Sequence, residues 1–465
     1  MRKNTMLFCI ITIAVISSTM VAFGDTLDVK RTQSNIYVDN TQTEIDSYNI
    51  NGNNYFKLRD LAFLLKDTHK MFSVNWNDKS GTINLITRSP YITVGGEMSI
   101  AEAGQIKCIE SPSRIYVNNR EVQLKAYNIN GNNYFKLRDL GENLNFGVGW
   151  NGKSNKILIS SSNNYYDMNP ISPSKYQNLL GKGMDVDWSK TEEGRANYSI
   201  ITVKQFVESN VKHVRIRIKD DADEKLFNSL DKQIDDCIEA GLIPVIAYQA
   251  DEFKNKPTEE NIKKVVKWWS KIAERYKDKS YFLSFDLLIE STDELNKQPE
   301  KLNEIYERLV TQIRKTNPNR IIIMSPRLRS NPEYLNELEI PTMHNGYMMA
   351  EWHFYASGPS KTNDEKLWTT GTEYEKTLIL EKIKTACEWQ KETGIPTWVG
   401  ALMPGNYNDG NDYTIEEQVA FADFMTKSLT DANIPFAVNS DTKFYNREDK
   451  KWVENMQPVF HTIYK

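Results

Sequence analysis

From Leu179 onward, short apolar runs alternate with longer charged segments of helical period, and nothing else in the 465-residue chain constrains its fold as tightly. The apolar runs lie at 183–187, 213–218, 243–248, 281–289, 320–324, 347–355, 397–400 and 436–438. Amphipathic stretches at 260–276, 299–315, 374–392 and 415–429 separate several of them. A buried parallel strand reads as a continuous apolar run, and a surface helix reads as a repeat of about 3.6 residues. Eight strands alternating with helices close most simply into an eight-stranded β/α (TIM) barrel. A doubly wound open sheet is the competing arrangement, but no Gly-rich phosphate loop follows the first strand. The expected class is therefore α/β, an eight-stranded barrel over 179–465, preceded by a duplicated small α+β stalk domain.

The duplication is read directly from the N-terminal third. Tyr-Asn-Ile-Asn-Gly-Asn-Asn-Tyr-Phe-Lys-Leu-Arg-Asp-Leu occurs at 48–61 and again, unchanged, at 127–140. Ile-Tyr-Val recurs at the same spacing (36–38 and 115–117), and Phe-x-Val-x-Trp recurs at 72–76 and 146–150. Each copy reads as strand, Asn-Gly turn, strand, short helix and hairpin, with the first helix at Leu58–Leu65. The Gly-rich segment 87–114 is expected to add a strand pair. Residues 25–162 form this unit. The Ser/Asn/Pro-rich stretch 163–178 reads as a linker, too polar to hold a core.

Residues 1–24 have the positive start, short apolar run and small terminal residues of a secretory signal peptide. No later stretch is apolar enough to span a bilayer. Export, to the medium or the cell surface, is the expected localisation. Without Arg2 and Lys3 the formal charge falls from −4 to −6. That acidity argues against a nucleic-acid partner. Cys108, Cys237 and Cys387 are too few and too scattered for a disulfide framework or a zinc site, and no metal or other cofactor is expected.

In a β/α barrel the chemistry collects where the strands run out at the C-terminal face. The residues at those ends are Asp187, Arg215 or Arg217, Gln249, Glu290, His353, Tyr355, Ala401 and Asn439. Alternation along a strand puts Asp286 with Glu290 on one face, and Glu351 with His353 and Tyr355. Glu290 follows Phe-Asp-Leu-Leu-Ile, where an unpaired buried carboxylate would be costly, so it is expected to face an open cleft.

Two resemblances sharpen this reading. The Tyr-Phe-x-Leu-Arg-Asp repeats resemble the stalk-like module named after the N-terminal domain of copper amine oxidases. That implies a spacer or surface-attachment role, with cell-wall components as the expected partner, and no copper, because the region has one histidine, His69. The second half resembles glycoside hydrolase family 5, the cellulase family, over about 180–445. The motifs are Phe285-Asp-Leu-Leu-Ile-Glu290, Ile313-Arg-Lys-Thr-Asn-Pro-Asn-Arg-Ile-Ile-Ile323, Trp352-His-Phe-Tyr355 and Gly394-Ile-Pro-Thr-Trp-Val-Gly400. The resemblance implies a polysaccharide or oligosaccharide substrate, Glu290 as acid/base, and Arg215, Gln249, His353, Tyr355 and Trp398 as substrate-binding residues.

Its departures are as informative. The family's Asn-Glu-Pro reads Ile289-Glu290-Ser291, and the nucleophile position holds Ala401. The histidine after the third strand is replaced at about Gln249, and a tryptophan platform is not evident after the last strand. Alanine forms no glycosyl-enzyme intermediate, so double displacement through position 401 is excluded. A hydrolase would need a second carboxylate elsewhere, with Glu351, Asp187, Asp441, Asp409 and Asp412 as candidates, or assistance from an acetamido group of the sugar itself. The alternatives are a glycan-binding barrel without turnover and a purely structural surface protein. Trp188, Trp352, Trp398 and Tyr407, expected near the pocket, weigh against the last.

Overall fold

The computed structural model describes residues 27–101, 106–356, 367–406 and 413–465. The expected signal segment lies outside the described residues, as do Tyr407, Asp409 and Asp412. The chain divides into two compact units. One comprises residues up to Phe146 with Trp150–Ser161, and the other comprises Gly147–Gly149 with Ser162–Lys465.

The second unit is a closed barrel of eight parallel strands in chain order. The strands are β1 (Lys182–Ser189), β2 (His213–Ile218), β3 (Ile243–Tyr248), β4 (Ser284–Asp286), β5 (Ile322–Met324), β6 (Met348–Tyr355), β7 (Thr397–Met403) and β8 (Phe436–Val438). Helices at Glu224–Ala240, Glu259–Arg275, Pro299–Arg314, Glu373–Thr393 and Ile415–Asp431 surround it. Alternate strand residues such as Met184, Val214, Phe285, Ile322 and Val399 pack outward into the strand–helix core. Trp188 and Trp352 belong to that core and are fully buried, so neither lines a cleft as expected.

Five strands differ in their bounds from the sequence reading, and the differences at β4 and β7 shape the mouth. β4 stops at Asp286, because Ile289 N–H turns to Tyr248 O (2.9 Å) and Glu290 takes a left-handed backbone, φ 55°. A non-glycine residue held there stores about 1–3 kcal/mol of strain, which the surroundings must offset. β7 runs past Gly400 to Met403 through a bulge. Trp352 pairs with Val399, and His353 pairs with Ala401, so Gly400 is the extra residue. The bulge puts Ala401 on the same face as His353.

The stretch 163–178 is not a bare linker. It contains helix Tyr165–Met168 and most of helix Pro173–Leu180, and it buries Tyr165, Tyr166, Ile171 and Tyr176. Tyr176 OH donates to Phe282 O (2.8 Å), and Gln177 Nε2 donates to Thr397 O (2.8 Å). Its few aromatic residues supply the core that its polar composition concealed.

The first unit has internal two-fold symmetry. Its six-stranded sheet places the two Asn-Asn-Tyr-Phe-Lys strands antiparallel at the centre, with Phe56 opposite Phe135. The Tyr48–Tyr134 and Tyr55–Tyr127 ring pairs repeat across the axis, each with centroids 5.2 Å apart. The hairpin strand Thr82–Thr87 pairs with Arg114–Val117 of the second copy, and Lys156–Ser160 pairs with Asn35–Val38 of the first. In both Asn-Gly turns the two residues have positive φ, as a type I′ hairpin requires. Among the described residues of 87–114 there is one complete strand, Cys108–Glu110, rather than a pair. It is the second copy's counterpart of Val29–Arg31, an edge strand hidden because Val-Lys-Arg and Cys-Ile-Glu share no residue.

Candidate active site

The barrel interior is built around one arginine. Arg215, on β2, is fully buried. Its Nε and Nη2 donate to the two oxygens of Asp185 on β1 (2.8 and 2.6 Å). Its Nη1 donates to Glu351 Oε2 on β6 (2.7 Å) and lies 3.3 Å from Asp286 Oδ2 on β4. Burial acts to strip Arg215 of its charge, but Asp185, Glu351 and Asp286 outweigh it and hold its pKa well above the usual value. Burial and the Glu351 charge push the Asp286 pKa well above the carboxylate range.

Gly400 makes room for this cluster. A Cβ there would sit 1.9 Å from Glu351 Oε2 and 3.0 Å from Arg215 Nη1. Lower in the barrel, Trp398 Nε1 donates to His213 Nε2 (3.1 Å), and His213 Nδ1 is 2.6 Å from Leu180 O. Burial lowers the His213 pKa to about 4, so this histidine is neutral, with Nδ1–H donating to the carbonyl. Arg215 and Trp398, expected to bind substrate, are thus interior residues. Their strand positions point inward, but both are buried within the barrel rather than open at the mouth.

Glu290 is the point where this network meets solvent. Its side chain is 17% exposed. Tyr355 OH donates to Oε1 (2.8 Å), His353 Nδ1–H donates to the same oxygen (2.9 Å), and Arg329 Nη1 donates to Oε2 (3.2 Å). His353 Nε2 lies 3.5 Å from Glu351 Oε2, so the imidazole joins the Arg215 cluster to Glu290. Burial acts to raise the Glu290 pKa. The hydrogen bond and charge of His353, then Arg329 and Tyr355, outweigh it and hold Glu290 well below the carboxylate range. His353 moves the opposite way: burial lowers it, but Glu351 and Glu290 raise it to about 9. The resting pair is carboxylate and imidazolium.

The expected second carboxylates separate by exposure. Glu351 is fully buried beneath Gly400 and Arg215. Asp441 is fully buried and clamped by Arg447 Nε and Nη2 (2.6 and 2.5 Å). Burying either unpaired would be costly, and each is spent on its arginine. Asp187, at the end of β1, has a side chain 19% exposed and lies 2.7 Å from Arg217 Nη2. Arg217 in turn donates to Asn439 Oδ1 (2.9 Å), beyond β8. Gln249 follows β3, where its Oε1 accepts from Lys254 Nζ at 3.4 Å.

Sequence reasoning missed Asp185, Arg329 and Lys254. The Asp-x-Asp and Arg-x-Arg alternations at 185–187 and 215–217 could have revealed Asp185 as a partner of Arg215. Arg329 carries no such signal, because it reaches Glu290 from a loop whose residues 328–330 all have positive φ. Buried Lys254 donates to Ile289 O (3.1 Å), bracing the backbone just before Glu290.

Residues 177–441 match the model of the cellulase family, glycosyl hydrolase family 5. The chain belongs to this family. Endoglucanase H of Acetivibrio thermocellus is 23% identical over 259 residues, which is 53% of this chain and 28% of that protein. This chain therefore spans little more than a quarter of that relative. Endoglucanase Cel5A of Thermotoga maritima is 21% identical, with a TM-score of 0.56 over 63% of this chain and 100% of that one. The cellulose synthase subunit Z of Clostridioides difficile is 21% identical, with a TM-score of 0.53 over 62% and 100%. At these identities the two structures share the fold.

Among the described residues no group of three or more His, Cys, Asp or Glu could hold a metal ion. No helix among them is long and apolar enough to cross a membrane.

Proposed function

We propose that the barrel holds a polysaccharide chain across its C-terminal mouth and hydrolyses its O-glycosidic bonds, with Glu290 handling the proton. One observation carries this reading: Glu290 is solvent-accessible at the end of β4 and held by His353 and Tyr355 from β6. The family membership supports it. Ala401 stands where the family resemblance puts the nucleophile, so water attacks the sugar directly and the anomeric configuration inverts. Asp187 is the carboxylate proposed to activate that water, since its side chain, though paired with Arg217, keeps some solvent access while Glu351 and Asp441 are enclosed.

To protonate a departing sugar oxygen, Glu290 must first gain the proton that its three donors now disfavour. A sugar hydroxyl that displaces Arg329 removes one of them. The same feature favours a second reading, capture of a glycan without turnover. Release of reducing ends from β-glucans, mannans, xylan and amino-sugar polymers separates the two. Hydrolysis abolished by Glu290→Gln supports the first, whereas binding by calorimetry with no product supports the second.

The other parts of the chain are read consistently with a glycan substrate. Residues 1–24 direct export, and residues 25–162 form a stalk that presents the barrel at the cell envelope, in contact with cell-wall components. The close internal repeat and the Tyr-Phe-x-Leu-Arg-Asp motif support the stalk. A fusion of 1–24 to a reporter tests export, and fractionation of the full chain between wall and medium tests attachment.

A further inference from the structure

We propose that the N-terminal unit carries its own polysaccharide-binding site, centred on Trp76, with a weaker quasi-equivalent site around Trp150. Trp76 and Trp150 are 46% and 48% exposed, unusual for the largest apolar side chain. They occupy matching positions in the two copies of Phe-x-Val-x-Trp. Beside Trp76 lies a groove of about 440 Å³ within the unit, lined among others by Arg59, Ile109, Ser111, Asn128 and Asn133. That volume is in the range of small-ligand pockets. The groove is composite, because Trp76 and Arg59 come from the first copy and the other four from the second. The exchanged strand pairing creates it, so a single copy of the repeat could not.

The lining matches the chemistry of a neutral sugar. The Trp76 indole N–H donates to the Asp78 carboxylate, which fixes the ring and leaves a face for the C–H groups of a pyranose. Lys57 contributes little net charge, since its ammonium lies 3.1 Å from Asp60 and donates to Gly96 O at 2.7 Å. Arg59, whose Nη1 donates to Tyr91 OH at 3.4 Å, keeps its charge in the lining; the rest is apolar surface from Leu58, Val74, Ile83 and Ile109, with serine hydroxyls and asparagine amides as the neutral polar groups. The side chains of Asn132 and Asn133 make no hydrogen bond among the described residues. Their first-copy counterparts are engaged: Asn53 Nδ2 donates to Asn51 O (3.2 Å), and Asn54 Oδ1 accepts from Asn49 Nδ2 (3.1 Å). The broken symmetry ranks the sites: the Asn132 and Asn133 amides that line the Trp76 groove are free, and the matching first-copy amides are engaged. Two such sites on one unit would also hold a repetitive polymer more tightly than either alone.

This site is independent of whether the barrel turns over. The test is retention of the full-length chain, in a Glu290→Gln background, on insoluble cellulose and in parallel on purified peptidoglycan. The proposal expects Trp76→Ala to weaken retention on one or both supports by roughly tenfold or more, the loss typical of a central tryptophan. Trp76→Phe retains most of the binding, and Trp150→Ala weakens it less than Trp76→Ala. The support that responds names the source of the glycan. Circular dichroism checks that each variant is folded, and calorimetry of soluble oligosaccharides at the barrel, unchanged by Trp76→Ala, separates the two sites. Retention on neither support overturns the proposal, as does retention that folded Trp76→Ala leaves unaltered.

Discussion

The ends of β4 and β7 open onto the same mouth, and they are furnished in opposite ways. At the end of β4, Glu290 sits on a left-handed backbone with three donors converging on one carboxylate. Near the end of β7, the bulge turns the fully buried Ala401 to the His353 face and offers a methyl group. Directly beneath, Gly400 leaves space that the Glu351 carboxylate fills on its way to Arg215. Negative charge is present near both strand ends, but only near β4 is it exposed. A barrel can therefore keep its internal charge scaffold while the group above it changes, because Arg215 is satisfied from β1, β4 and β6 rather than from position 401.

Four experiments break or sharpen that contrast. The largest effect is expected from Arg215→Met, which strands the carboxylates of Asp185 and Glu351 in the interior. Breaking a buried ion pair from one side costs about 3–5 kcal/mol, to be read from chemical denaturation. A loss under about 1 kcal/mol would mean the interior charges are not held as described.

Next is Glu290→Gln, which should lower turnover by roughly 10²–10⁴-fold, the range for a general acid/base. Ala401→Ser should leave turnover within a few-fold, so that the two strand ends are compared in one assay.

Gly400→Ala comes third. Its methyl group displaces Glu351, and overpacking of this kind costs about 1–3 kcal/mol. The Glu290 environment should shift with it, seen as a change in the His353 imidazole resonances.

The smallest effect is electrostatic. His353 should titrate near pH 9, above its ordinary value, because Glu351 and Glu290 face it. Its raised pKa contributes stability that is complete below about pH 6.5 and is lost as pH rises through about 9. Glu290→Gln should lower the His353 pKa, as followed by NMR. Glu290 has the opposite sign: its lowered pKa stabilises the fold above the ordinary carboxylate range, and that contribution is lost on acidification. If Glu290 is the acid, turnover should rise as pH falls toward 5, since the protonated form is scarce at neutrality.

Much of the barrel was legible because buried parallel strands leave continuous apolar runs. Strands 213–218, 243–248 and 436–438 were read to the residue. β4 was overextended because Leu287, Leu288 and Ile289 stay buried after the strand pairing ends. Burial depth was the harder quantity. Alternation tells which way Arg215, Trp398 and Glu351 point but not how far below the mouth they sit, and that height depends on strand stagger and on the bulge at Gly400. Arg329 was invisible because its approach to Glu290 rests on loop backbone rather than on any periodic pattern. In the N-terminal third, the exact repeat revealed the duplication but not the exchange of strands between the copies.

The most direct test is the anomeric form of the first product. Proton NMR during early hydrolysis of a β-linked oligosaccharide should show the inverted anomer from the wild-type chain. Folded Glu290→Gln and Asp187→Asn should each lose at least about a hundredfold in rate. A retained anomer would contradict direct attack by water, and product formation indifferent to Glu290→Gln would contradict the role given to the end of β4.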